Sequence, residues 1–208
     1  MSKVVVITGV SYGLGLALLQ NFSENDSYSV AGISRTLKPD EKERLLLFKG
    51  DITKTKDIES FYDRIMKKWG GFDVLINNAG IVGEFKEITE YSEDEVNKII
   101  DINIKATFIM TQKGIELIRR PGYIVNIGST RSITGAPNKS IYSMTKFALR
   151  GLTQSINSEW KAKGICSTIV CPGSFKTVPL KTIAGVVQDL LEMPVSAHVP
   201  EVIIGGML

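Results

Sequence analysis

The stretch that decides the fold lies near the start of the chain: KVVVITGVSYGLGLALLQNF, Lys3 to Phe22. Its first six residues are apolar and β-branched-rich without alternation, as expected of a strand covered on both faces. Glycines stand at 9, 13 and 15, and a helical stretch over 13–24 follows at once. Glycine lets the backbone turn sharply and lets another group approach it closely. The helix N-terminus beyond it offers unpaired N–H groups and a positive dipole end. Strand, glycine turn and helix in that order make the kind of cradle in which α/β proteins hold phosphate.

The same alternation continues outward from this unit. KVVVIT (3–8), YSVAGIS (28–34), RLLLFKG (44–50), FDVLIN (72–77), YIVNIG (123–128), ICSTIVC (165–171) and EVIIGG (201–206) read as strands. Helical stretches lie between them over 13–24, 57–69, 94–119, 142–163 and roughly 182–192, and Ser92 and Glu95 are spaced as a capping box for the third. The pattern predicts a seven-stranded, mostly parallel, doubly wound Rossmann-like α/β sheet with helices on both faces. With no linker, repeat or low-complexity segment, 1–208 is expected to form a single domain.

Composition narrows the classes of partner. Hydrophobic residues make up 43% of 208 and charged ones 23%, the balance of an ordinary globular protein. A net charge of +3, evenly spread, gives no reason to expect nucleic acid or an anionic membrane. No apolar run reaches the ~18 residues of a transmembrane span. The opening MSKVVVITGV reads as a buried strand rather than a signal peptide. Cys166 and Cys171 share one strand and are not expected to form a disulfide, which suits a cytoplasmic protein. His198 is the single histidine, so a zinc site or a Ser/His/Asp triad would rest on one residue and neither is expected.

The glycine spacing G-x-x-x-G-x-G resembles that of the short-chain dehydrogenase/reductase family, and further marks of that family occur in order. GDIT (50–53) follows the third strand and NNAG (77–80) the fourth; Asn103 lies in the long helix and Ser129 follows the fifth strand. Then come Tyr142-x-x-x-Lys146 and PGSFKT (172–177). The resemblance covers nearly the whole chain and implies an oxidoreductase that binds a nicotinamide dinucleotide. Thr8, Gly9, Ser11, Tyr12, Gly13, Leu14 and Gly15 would surround its phosphates, and Asp51 and Ile52 its adenine. Asn78, Ala79 and Gly80 would brace its wall. Pro172, Gly173 and Thr177 would also meet it, Thr177 at the nicotinamide amide, and Tyr142 and Lys146 would contact it as well. Asp51 has a second reading as a helix cap, and Asn77 and Asn78 as turn stabilisers.

The end of the second strand bears on which dinucleotide binds. A site selecting NAD usually carries a carboxylate there for the ribose 2′-OH. Here Ser34, Arg35 and Thr36 stand instead, and a guanidinium pairs well with a 2′-phosphate, so NADP(H) is favoured and NAD(H) is the alternative. Tyr12 occupies the place where many NADP-dependent relatives carry a second basic residue.

Residues four apart on a helix share a face, so Lys146 is expected beneath the Tyr142 hydroxyl. A free tyrosine titrates near pH ~10. A nearby cation, helped by the positive nicotinamide of the oxidised cofactor, would favour phenolate and lower that value, making Tyr142 a general acid/base. Ser129, at a strand C-terminus, is expected to hydrogen-bond the same carbonyl oxygen. The resemblance gives Asn103 a water that links Lys146 to solvent, with a satisfied buried amide as the other reading. Arg131 stands where it would meet an acidic substrate or face solvent. The function expected is hydride transfer between nicotinamide and a carbonyl or secondary alcohol. A regulatory protein that senses NADP without turnover is the alternative. A sugar-nucleotide epimerase or dehydratase, with different glycine spacing and a larger C-terminal region, fits less well. The substrate-binding region, about 178–200, is short for the family and implies an open active site. Assembly as a homodimer or homotetramer through helices 94–119 and 142–163 is also implied by the resemblance.

Overall fold

The computed structural model describes residues 2–175, 177–194 and 197–205. One mixed sheet carries β1 (Lys3–Thr8), β2 (Tyr28–Ser34), β3 (Asp40–Lys42), β4 (Leu45–Lys49), β5 (Phe72–Asn77), β6 (Ile118–Ile127), β7 (Ile165–Pro172) and β8 (Glu201–Ile204). Their spatial order is β3-β4-β2-β1-β5-β6-β7-β8. Every neighbouring pair is parallel except β3 and β4. Among the described residues the sheet therefore has eight strands, not seven. The addition, Asp40–Lys42, is a charged edge strand that turns back antiparallel on β4 and ends the sheet. Of the final predicted strand, Gly206 lies outside the described residues, as do Val195 and Ser196 of the 178–200 region and Lys176 of PGSFKT.

Parallel neighbours require crossovers, and the helices supply them on both faces. α1 (Gly13–Ser23) and α6 (Leu180–Glu192) cover one face, where Leu18, Phe22, Ile183 and Val187 are fully buried with Val5, Ile7 and Ile76. α2 (Thr55–Trp69) and α4 (Ala106–Gly114) cover the other, around Phe61, Ile65, Met110 and Leu75. α5 (Ser140–Trp160) packs there too, through Ile156. The order reverses at β1, which has β2 on one side and β5 on the other. In open α/β sheets the crevice beyond the strand C-termini at such a point is where ligands bind.

The stretch expected to be one helix over 94–119 is broken. α3 (Glu93–Ile100) starts at the predicted capping box, with Ser92 Oγ accepting from the Glu95 backbone and Glu95 from that of Ser92. A π-helical turn, Asp101–Lys105, joins it to α4. The helix stops at Gly114, whose missing side chain leaves room for Tyr62: a Cβ there would lie 2.4 Å from the Tyr62 hydroxyl. That hydroxyl donates to Met110 O at 2.7 Å and locks the helix end. Ile118, read as helical from its spacing, instead pairs with Phe72 in the sheet. Phe108 is 50% exposed, whereas the polar Asn103 and Thr107 are buried.

Candidate active site

The C-terminal ends of β1 and β5 are clamped together. Thr8 Oγ1 accepts from the backbone N–H groups of Asn78 (3.1 Å) and Ala79 (3.0 Å), and Asn78 Nδ2 donates to Thr8 O at 2.9 Å. Asn78 thus has the turn-stabilising role. Thr8 is buried beneath the turn rather than exposed at its surface. Gly9, with φ +75°, bends the chain out of β1. A Cβ on Gly15 would fall 2.0 Å from Gly9 O, so only glycine lets helix and turn close together.

A cleft of about 380 Å³ opens above this turn. Gly9, Ser11, Tyr12, Gly13, Leu14 and Gly15 line one end, and Asn78, Ala79 and Gly80 line a wall. No side chain caps the first turn of α1, because the N-cap residue Tyr12 makes no such bond. Its N–H groups are thereby left to a ligand, and an anion is the natural partner. The residues fit a dinucleotide phosphate.

Farther along, Ser34, Arg35, Thr36, Asp51 and Ile52 line the same cleft. The hydroxyls of Ser11 and Ser34 hydrogen-bond at 2.8 Å, joining the glycine turn to the end of β2. Burial pushes the Asp51 carboxyl up, but hydrogen bonds from Thr53 and the charges of Arg35 and Lys54 outweigh it. Its pKa lies below the usual range. Asp51 Oδ1 accepts from the Thr53 backbone (3.0 Å) and hydroxyl (2.8 Å), so the carboxylate also fixes its own turn.

The other end of the cleft is formed by Tyr142 and Lys146 of α5. Lys146 is 5% exposed, and its Nζ donates to Ile127 O at 2.8 Å. Burial holds its pKa down at about 8, against an ordinary 10.5, with the nearby Cys171 acting in the opposite sense. The ammonium lies 5.7 Å from the centre of the Tyr142 ring. Contrary to expectation, burial raises the Tyr142 pKa, and the Ser129 hydrogen bond and Arg131 charge only partly offset it. Desolvation of phenolate is the dominant effect in the protein alone.

Ser129 leads into a short 3-10 turn, Thr130–Ser132, with its Oγ accepting from Arg131 N at 3.2 Å, and its hydroxyl acts to lower the Tyr142 pKa. Asn103 sits in the π-turn. Its Oδ1 accepts from Ile81 N at 2.8 Å, and its Nδ2 donates to Ile81 O (2.8 Å) and to Thr145 Oγ1 (3.1 Å). Both N–H groups and one lone pair of the amide are engaged, an arrangement compatible with the satisfied-buried-amide reading. Gly80 fits beside it because a Cβ would lie 3.2 Å from Asn103 Oδ1 and 3.7 Å from Lys146 Nζ.

Not every predicted residue reaches the cleft. Pro172 and Gly173 close β7, where Gly173 N donates to Ile204 O at 2.8 Å, and the exposed Thr177 donates to Ser174 O at 3.0 Å. None of the three lines it, and neither do Thr8, Asn103 or Ser129, whereas Phe175, from the same segment as Thr177, does. Sequence reasoning missed Ile127 O, the acceptor for Lys146, and Thr145, which joins Asn103 to Tyr142 by donating to Tyr142 O at 2.8 Å. Thr145 lies within Tyr-x-x-x-Lys and was findable there; the Ile127 carbonyl has no side-chain signal. Beneath the site Asn77 Nδ2 donates to Asn126 Oδ1 (2.9 Å) and Asn126 Nδ2 to Thr153 Oγ1 (2.9 Å), tying β5, β6 and α5 together. Both cysteines are free thiols. His198 lies against Ser167 O at 2.9 Å and does not line the cleft.

Sheet order, glycine turn and cleft together define a doubly wound α/β protein of the nucleotide-binding kind. Residues 3–184 match the short chain dehydrogenase family, and the chain belongs to that family of oxidoreductases. An uncharacterised oxidoreductase of Thermotoga maritima is 33% identical over 184 residues, spanning 83% of this chain and 71% of its own. L-2,3-butanediol dehydrogenase of Corynebacterium glutamicum is 31% identical, spanning 97% and 83%. Among solved structures, ElxO with NADP bound is 26% identical with a TM-score of 0.87, covering 99% of this chain and 97% of that one. Serine dehydrogenase from Escherichia coli has a TM-score of 0.90 over 97% of both chains at 21% identity, a likeness of fold. Among the described residues, no helix is long and apolar enough to cross a membrane.

Proposed function

We propose that the protein is an NADP(H)-dependent oxidoreductase that interconverts a carbonyl compound and its secondary alcohol. The observation that carries this reading is the continuous cleft running from the uncapped α1 N-terminus to Tyr142 and Lys146. Bound nicotinamide supplies or takes the hydride. Tyr142 gives its hydroxyl proton to the carbonyl oxygen, and Ser129 holds that oxygen as its charge grows. A phenol whose pKa lies above the ordinary value is protonated at neutral pH, the form that donates a proton in reduction. Lys146, held at about 8, exchanges its proton near neutral pH and can reprotonate the site.

NADP(H) over NAD(H) is supported by Arg35 and by the missing carboxylate among Ser34, Arg35 and Thr36, and by the NADP bound to the similar ElxO. Reduction of a panel of ketones, aldehydes and quinones, followed at the nicotinamide absorbance with NADPH and NADH side by side, tests both parts. Turnover preferring NADPH is expected; a preference for NADH overturns the cofactor assignment, and no turnover with either overturns the reaction. The same reading includes a homodimer or homotetramer built through α4 and α5, on which Phe108, Met144 and Phe147 are exposed. It also places the protein in the cytoplasm, a setting that suits the free thiols of Cys166 and Cys171.

A further inference from the structure

The segment that joins β6 to α5 supplies Ser129 and leads on to Tyr142. Between Ser129 and Ser140 it carries Arg131 and Lys139 and no Asp or Glu. The two cations are differently engaged. Lys139 rests its ammonium over the Phe85 ring, 4.4 Å from the centroid, at the loop's far end. Arg131 is half-buried, and its side chain donates from Nη1 to Gly135 O (2.8 Å) and Thr134 O (3.5 Å). Among the described residues no carboxylate pairs with it.

Those two bonds hold the guanidinium in place by one nitrogen and leave the rest of its fork of donors uncommitted. Its backbone is equally fixed, since Arg131 N donates to Ser129 Oγ at 3.2 Å. Its charge is felt at the Tyr142 hydroxyl. A half-buried arginine, tethered, without a carboxylate partner and next to the residues that would hold a carbonyl oxygen, is arranged to meet a carboxylate bidentately. The acids of the segment that meets this loop at Asn138 are engaged elsewhere: Glu84 and Glu95 pair with Lys86, and Glu87 and Glu90 cap their own 3-10 turn. The glycine turn lines the cleft whereas Arg131 stands beside it, two residues past Ser129, so the anion in question belongs to the substrate and not to the dinucleotide.

We propose that Arg131 is a specificity-determining residue that selects carbonyl substrates bearing a carboxylate a few bonds from the reacting carbon, that is, keto acids and their hydroxy-acid counterparts. Phe175, 56% exposed and lining the cleft with Tyr142, offers an apolar surface to the rest of such a molecule. The inference rests on the carbonyl-reducing function proposed above.

The test compares 3-oxohexanoate with its neutral methyl ester, in wild type, Arg131→Met and Arg131→Lys. Two readouts are taken: kcat/KM for reduction, and calorimetric affinity of the protein saturated with NADP⁺. A charge-assisted, bidentate contact predicts that wild type prefers the acid by roughly ten- to a hundredfold in both readouts. The acid-to-ester ratio should fall to near one in Arg131→Met and be partly kept in Arg131→Lys, which retains the charge without the fork. A circular dichroism melt confirms that each variant is folded. Equal affinity of wild type for acid and ester overturns the proposal, as does a Met variant that loses acid and ester in equal proportion. The latter outcome would make Arg131 a neighbour that tunes Tyr142. The calorimetric arm reads the anion site without chemistry, so absence of turnover counts against the reaction alone.

Discussion

Replacing Lys146 with methionine is expected to make the protein more stable at neutral pH. The ammonium is 5% exposed, and burial brings its pKa from 10.5 to about 8. Each tenfold change in proton affinity is worth about 1.4 kcal/mol, so keeping this group charged in the fold costs roughly 3 kcal/mol. The sign follows from proton counts. Between about pH 8 and 10.5 the unfolded chain holds this proton and the folded one does not, so stability rises with pH across that window. Below it the full penalty applies; above it there is none. Methionine fills a similar volume without the charge, but leaves Ile127 O without its 2.8 Å partner. That omission costs ~1–3 kcal/mol, leaving a net gain of about 1 kcal/mol at pH 7. By pH 10.5 the variant should be the less stable protein. Urea unfolding of both proteins, without nucleotide, at steps from about pH 7 to 10 measures the difference, in which other titrating groups cancel. A difference that stays constant over that range refutes the reasoning.

Three other substitutions probe the site from different sides. Tyr142→Phe keeps the ring and removes the proton, so turnover should fall at least ~100-fold while NADPH affinity, read by fluorescence titration, changes little; undiminished turnover would remove Tyr142 from the mechanism. Gly15→Ala places a methyl group 2.0 Å from Gly9 O and 2.6 Å from Asn78 Nδ2, so the β1–α1 turn must shift. Nucleotide binding should be lost and the melting midpoint lowered by roughly 5 °C, and intact binding would contradict the close packing. Asn103→Leu strips both backbone groups of Ile81 of their partner and should cost about 3 kcal/mol in chemical denaturation, whether or not nucleotide binds.

Most of the sheet could be read from the chain because its strands are apolar on both faces and each is bounded by turn residues. Asp40–Lys42 could not, since three charged residues at an edge carry no periodic signal and owe their conformation to pairing with Leu45–Leu47. The overrun past Gly114 has a related cause. Ile115 and Ile118 continue a helical spacing, and nothing local reveals that Ile118 will pair with Phe72. In the site, the glycine turn and the Tyr142–Lys146 pair were legible because both depend on spacing within one element. Thr177 fell outside the cleft because the segment after β7 has its course set by packing. The Tyr142 pKa was misjudged for the same reason: desolvation belongs to the folded surroundings, whereas the lysine four residues on is visible in the sequence.

The amide of Asn103 serves the chain in the way a neighbouring strand would. Ile81, just past the end of β5, has its N–H and its C=O both answered by one side chain 22 residues away. The backbone beside the cleft is therefore held where, among the described residues, no strand pairs with it. Only a planar group with a donor and an acceptor side by side can do this. Aspartate has no donor for Ile81 O, and leucine has neither. It follows that lost activity in a variant at this position is not by itself evidence of a proton relay, because the wall of the cleft would give way first. Glutamine, with the same amide on a longer stem, separates the two roles only if the loop can yield to receive it.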